Sequence, residues 1–227
     1  MHPLDNVIWQ ALTTRQAQFA QGSNGARRFV EEVSPLSGFE QPSDANYEAL
    51  ASLVVPDGKL AVFLDHPYER RAAWDFVVGA PLLQMVSQRS AGPPTNGHEV
   101  LELGAADSPQ MLALTALTKP GPFGTRTHEL GAYVGIRHEG KLVAMAGERL
   151  KVPGYTEVSA VCTHPDYLGR GFARIVMSEV MRRIRDRGEV PFLHVRQDNS
   201  RAIALYERLG FQARKLGHFA VLRRTKC

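Results

Sequence analysis

Cysteine is nearly absent: of 227 residues only Cys162 and Cys227 are cysteines. One lies inside an apolar run and the other is the last residue. They make neither a disulfide framework nor a zinc-ligand spacing, so no metal site is expected and a reducing, cytoplasmic compartment is. Long apolar runs are missing too. No stretch approaches the roughly 18–20 residues that cross a bilayer. Met1 to Phe19 holds Asp5, Asn6 and several Gln and Thr, and lacks the apolar core of a secretory signal. No membrane association is expected. What is present is ordinary: 44% hydrophobic and 22% charged residues describe a globular chain. Its length exceeds the roughly 100–200 residues usual for one domain, so two compact units are as admissible as one.

The net charge of +4 hides an asymmetry. Residues 168–227 carry 14 Lys/Arg against 5 Asp/Glu, while the rest of the chain is net acidic. A basic end can attract nucleic acid or a small phosphorylated ligand. It lacks the interleaved aromatics of a single-strand-binding platform. Arg182, Arg183, Arg185 and Arg187 also fall at the end of an expected helix, where cations complement the dipole. No nucleic-acid partner is therefore expected.

Along the chain, Asp5 or Asn6 caps a first helix with Ile8, Leu12 and Phe19 on one face. Ser43 or Asp44 caps a second that carries Tyr47, Leu50, Leu53 and Val54. Strands are predicted over 59–64, 73–79 and, more weakly, 81–88. Ser90 to Gly97 gathers Gly, Pro, Ser and Asn without an apolar anchor and reads as a linker. The expected division is an N-terminal α+β unit over 1–89, a linker over 90–97 and a second unit over 98–227. In that second unit the pattern predicts a strand at 99–103, a helix from Asp107 or Ser108 to Leu117, and a hairpin of 129–137 with 141–150. A strand at 155–163, a helix at 169–187, a strand at 190–195, a helix at 200–209 and a final strand pair over 211–222 follow.

Two motifs carry chemistry. The first runs Val158-Ser-Ala-Val-Cys-Thr-His-Pro-Asp-Tyr-Leu-Gly-Arg-Gly-Phe-Ala173, a strand, a short loop and a glycine turn that opens a helix. Helix-opening N–H groups have no intrahelical partner and point at an anion, and glycine lets the backbone approach it. A diphosphate fits. It is not a dinucleotide fingerprint, because the third glycine is misplaced and no acidic residue ends a strand about 20 residues on. The second motif is Asn199-Ser-Arg-Ala-Ile-Ala-Leu-Tyr-Glu-Arg-Leu-Gly-Phe211.

Together, in this order and at this separation, the motifs resemble the GNAT superfamily of acyl-CoA N-acyltransferases over roughly residues 98–224. The Ser-Ala-Val-Cys-Thr-His-Pro run and Leu193-His-Val195 look most like the glycine N-acyltransferase subgroup. The resemblance implies an α/β (α+β) fold, a mixed, mostly antiparallel twisted sheet flanked by helices, with residues 1–89 as a degenerate second copy. It implies acetyl-CoA as co-substrate. Val161, Cys162 and Thr163 would offer backbone groups to its pantetheine arm. Gly169, Arg170, Gly171, Ala173 and Arg174 would surround its pyrophosphate, and Asn199 and Ala202 would lie along the pantetheine. Tyr206 would protonate the leaving thiolate. Leu168 stands where the family usually has Arg or Gln, which removes one phosphate contact and predicts weaker binding.

Amine attack on a thioester needs a proton acceptor, because an alkyl ammonium has a pKa near 10.4. Glu157 is the first candidate, four residues before Val161 on a strand and so expected on one face with Ser159 and Val161. The alternative is an exposed strand glutamate without chemistry. His194 is a second candidate, set against a hydrogen-bonded structural histidine. Tyr206 competes with a core tyrosine, and Cys162, mid-strand without a spaced His, with an inert buried thiol. The reading is an N-acetyltransferase acting on a small-molecule or peptide amine, as monomer or homodimer. The alternatives are an acyl-CoA-binding module without turnover and a nucleic-acid-binding protein.

Overall fold

Strand-forming segments from both halves of the chain join one sheet. The computed structural model describes residues 2–23, 25–87 and 98–226. The first half supplies α1 (Val7–Thr13), β1 (Ala20–Gln21), β2 (Ala26–Phe29), β3 (Leu36–Phe39), α2 (Asp44–Ser52), β4 (Lys59–Leu64) and β5 (Trp74–Ser87). The second supplies β6 (Leu101–Leu103), α3 (Ser108–Thr118), β7 (Tyr133–His138), β8 (Lys141–Val152), β9 (Tyr155–Thr163), α4 (Phe172–Asp186), β10 (Val190–Arg196), α5 (Ser200–Arg208) and β11 (Phe211–Arg224). The sheet is eleven-stranded, in the order β1-β2-β3-β4-β11-β5-β10-β9-β8-β7-β6. Among the described residues only β3 with β4 and β9 with β10 run parallel.

Local chemistry accounts for the helix starts. Ser43 accepts from the Asn46 N–H at 3.3 Å and caps α2, and Pro109 sits in the first turn of α3, where its missing donor costs nothing. Asn6 precedes α1 without capping it; its side-chain amide instead donates to the Phe39 carbonyl at 2.7 Å and ties the helix to β3. The apolar stripe of α4, with Ile175, Val176, Val180 and Ile184, packs on Val158, Leu193 and Phe211, and α5 joins the same face. On the opposite face Leu4, just before α1, and Ile8 and Leu12 of α1 pack against Leu150, Val152 and Phe192, and α3 packs Met111 and Leu114 against Met145 and Cys162.

Three expectations change. The strands expected at 73–79 and 81–88 are one strand, β5. Pro81 lies just outside the stretch that pairs with β10, where an edge strand tolerates a missing donor. The final strand pair is likewise the single strand β11, bulged between Ala213 and Lys215. The division of the chain is not a division of the sheet: β5, from the first half, lies between β10 and β11 of the second. The linker expected at 90–97 lies outside the described residues.

Candidate active site

The parallel strands β9 and β10 pair only over Tyr155 to Glu157 and Val190 to Phe192. Beyond that point β10 turns to β5 and β9 stays with β8, so the strands part. From Val158 to Thr163 one edge of β9 has no strand partner among the described residues. Ala160 sits in that stretch at φ 52°, with a register shift between Met145 and Gly147 on β8 opposite. A left-handed alanine costs on the order of 1–2 kcal/mol, and such strain collects where a strand must aim its groups at a ligand. The bulge also overturns the expected common face of Glu157, Ser159 and Val161. Val158 and Val161 both face α4, while Glu157 is on the other side.

At the N-terminus of α4, Gly169 and Gly171 both have φ 79°, the region that favours glycine. A Cβ on either would meet nothing within 4 Å, so this surface is open for a ligand. Arg170 and Arg174 are exposed and make no ion pair among the described residues; Arg170 lies over the Tyr167 ring at 4.7 Å. Further along the helix the arginines are engaged. Arg182 pairs with Glu179 and Asp186, Arg183 with Glu179 and Glu102, and Arg187 with Glu148 and Glu189. Much of the basic C-terminal balance is thus paired within the fold, while Arg170 and Arg174, without an ion pair among the described residues, stand at the N-terminal end of α4. Leu168 is 50% exposed beside them and offers no charge.

Asn199 caps α5, accepting from the Ala202 N–H at 3.1 Å, so its side-chain oxygen serves the helix. Two turns on, Tyr206 is half-buried, packs edge-on to Phe211, and has its pKa pushed up to about 12 by burial. The Thr163 hydroxyl at the end of the free β9 edge is buried without a partner. Cys162 points toward α3, and burial pushes its thiol up to about 11, so it is no nucleophile at neutral pH.

Glu157 is fully buried. Arg149 donates to both of its oxygens at 2.7 and 2.8 Å, and Nδ1 of His194 lies 2.7 Å from Oε1. Burial alone would raise its pKa, but the Arg149 charge and hydrogen bonds, with those of His194, outweigh it and hold the carboxyl at about 2. The expected base is therefore a carboxylate with both oxygens engaged and no exposed surface. On the far side, Nε2 of His194 meets the amide nitrogen of Gln84 at 3.1 Å, which also donates to the Leu4 carbonyl. Consistent hydrogen bonding makes Nε2 the acceptor and Nδ1–H the donor to Glu157. Sequence reasoning missed Arg149 and Gln84. Their partners lie across strands, and no local pattern marks them.

The family described as FR47-like protein matches residues 133–219, from β7 into β11. A crystal structure from Novosphingobium aromaticivorans DSM 12444, described as an acetyltransferase from the GNAT family, superposes with a TM-score of 0.92 at 34% identity, covering 100% of both chains. This chain belongs to the GNAT family of acetyltransferases. A GCN5-related N-acetyltransferase from Kribbella flavida shares the fold, with a TM-score of 0.65 at 16% identity over 97% of this chain and 96% of its own. N-alpha-acetyltransferase RimI of Mycobacterium tuberculosis is 43% identical over 83 residues, 35% of this chain. The chain spans about half the length of that curated relative, 51%. These relatives carry the GNAT family and not the narrower likeness to glycine N-acyltransferases. Among the described residues no cluster of His, Cys, Asp or Glu could hold a metal ion, and no helix is long and apolar enough to cross a membrane.

Proposed function

We propose that this GNAT protein transfers an acetyl group from acetyl-CoA to a primary amine by direct attack in a ternary complex. The observation that carries the reading is the parting of β9 and β10 next to the open N-terminus of α4. An extended thioester arm would lie along the free edge of β9, at Val161, Cys162 and Thr163, as an added strand. Its diphosphate would meet the N–H groups of Gly169 to Arg174, with Arg170 and Arg174 beside them. The orphaned Thr163 hydroxyl and the open space at both glycines fit such a guest. Bound there, acetyl-CoA supplies an electrophilic carbonyl and a thiolate leaving group.

The chain's own residues handle the protons. His194 takes the proton of the attacking ammonium on Nε2, and Glu157 holds the ring and stabilises the imidazolium that results. Gln84 must release Nε2 for this. Tyr206 keeps its proton at neutral pH and donates a hydrogen bond to the sulfur. Full transfer to a thiolate of ordinary pKa, about 8.5, is uphill from a phenol at about 12, so the contribution is stabilisation rather than protonation. A panel of primary amines, assayed for release of free thiol and for the acetylated amine, tests the reading. Thiol release matched by acetylated amine supports it. Binding of acetyl-CoA without product favours a binding module instead.

A further inference from the structure

Tyr133 of β7 is 1% exposed, and its hydroxyl has no hydrogen-bond partner among the described residues. Buried polar atoms are nearly always paired, so an orphan of this kind calls for a partner that binding supplies. Strand register shows where the side chain leads. Tyr133 stands opposite Gly147 of β8, and Gly147 opposite Ser159 of β9, so the three share one face of the sheet. A Cβ on Gly147 would lie 2.1 Å from the nearest carbon of the Tyr133 ring. The ring therefore rests on the glycine, and any side chain there would displace it. Neighbouring strands are about 4.7–4.9 Å apart, less than the length of a tyrosine side chain, so the hydroxyl is carried across β8 toward β9.

Its surroundings agree with that direction. Ala160, the left-handed residue of the β9 bulge, packs against the same cluster as Tyr133. Phe123, in the segment after α3, meets the ring edge-on at 5.7 Å. The charges of Arg149 and Glu157, two residues further along β8 and β9 on this face, act on the hydroxyl. It thus stands where the free edge of β9 begins, on the side of the sheet away from α4 and α5. Burial pushes its pKa up, so it keeps its proton and is a donor. The neighbouring anion does not take that hydrogen bond, because Arg149 and His194 engage both oxygens of Glu157.

The missing partner must therefore be an acceptor atom of a ligand. An ammonium offers donors only, and the single lone pair of a free amine is the nucleophile. A thioester carbonyl oxygen does accept. With a diphosphate at Gly169 to Arg174, an arm on the free edge of β9 would run back from Thr163 toward Val158. Its acyl end would arrive at Ser159 and Ala160. We propose that the Tyr133 hydroxyl donates a hydrogen bond to the carbonyl oxygen of the bound acyl thioester and stabilises the negative charge that gathers there as the amine adds. The proposal rests on the acetyl-transfer reading above and adds a catalytic residue to it. Tyr133 serves the carbonyl oxygen from one face of the sheet, and Tyr206 the sulfur from the other. Such a bond strengthens as charge develops, which is what lowers a barrier.

The test compares the full-length wild type with Tyr133→Phe. Isotope-edited infrared spectroscopy reads the carbonyl stretch of bound acetyl-CoA labelled at the acetyl carbonyl. The wild type should shift that band to lower frequency than in free acetyl-CoA, and Tyr133→Phe should lose at least half of the shift. The Kd of CoA, which has no acyl oxygen, should be unchanged. With an amine that the wild type acetylates, kcat should fall about 10²–10³, the usual loss for one such donor. The Tm of the free variant should not fall, since the hydroxyl it lacks is unpaired. The same band position in both proteins overturns the assignment, even where acetylation proceeds and kcat falls. A lower Tm overturns it too, because the hydroxyl would then be paired before any ligand binds. A band that shifts in the wild type and less in the variant, with no amine acetylated, upholds the contact and overturns acetyl transfer. No binding of acetyl-CoA overturns both.

Discussion

Nδ1 of His194 lies 2.7 Å from Oε1 of Glu157, across the point where β9 and β10 separate. The same carboxylate is clamped by Arg149, so it cannot leave the imidazole to meet a substrate. The pair sits between the stretch that holds the sheet together and the stretch where the sheet opens. The carboxylate therefore ties β8, β9 and β10 together at the point where the sheet divides.

Glu157→Gln should destabilise the protein by about 3–5 kcal/mol, because it leaves Arg149 buried without a counter-charge. Denaturant unfolding at pH 7 measures it. The sign of the pH effect follows from the depressed pKa. The stabilisation is complete above the ordinary value of 4.5 and is lost as pH falls toward about 2. The wild type should lose stability over that window, and the variant should lose less there.

His194→Gln should lower kcat/KM at neutral pH by about 10²–10⁴, the usual worth of a general base. The deficit should shrink as pH rises toward the amine's own pKa near 10.4, where no base is needed. A deficit constant across pH would make His194 a positioning group for Gln84.

Tyr206→Phe keeps the contact with Phe211 and removes the hydroxyl. A hydrogen bond to a charged sulfur is worth about 1.5–3 kcal/mol, so kcat should fall about ten- to a hundred-fold with CoA affinity unchanged. Unchanged kcat would return Tyr206 to the core.

CoA at about 100 times its Kd should add about 2.7 kcal/mol of stability, and roughly 2–4 °C per kcal/mol makes that a shift of several degrees in Tm. Gly171→Val should abolish the shift. A β-branched residue is strained at φ 79°, and its side chain enters the open space above the helix N-terminus. A normal shift in the variant would move the anion site elsewhere.

Residues 98–227 alone should not form a stable protein. Without β5, the strands β10 and β11 each expose an edge that it now covers from Leu82 to Val86 and from Trp74 to Ser87. Circular dichroism and solubility of that fragment check this. A soluble, cooperatively unfolding fragment would mean that the second half closes its own sheet.

Much of this was legible in the residues. The helical spacing of Phe172, Ile175, Val176, Val180 and Ile184 marked α4, and the two glycine-bearing motifs marked the family, because period and turn chemistry are local. β2 and β3 were not legible. Arg27 and Arg28 interrupt one, and Ser37 and Gly38 the other, with a polar residue or glycine that only the packing of α1 explains. The sequence by itself determined the helices α4 and α5 with the strands beside them and, through their two motifs, the family. The tertiary structure alone decided that Glu157 is locked between Arg149 and His194. It alone decided that β5, from the first half, lies between β10 and β11 of the second. Each of these depends on partners far apart in the chain, brought into register by strand pairing and burial that no local pattern encodes.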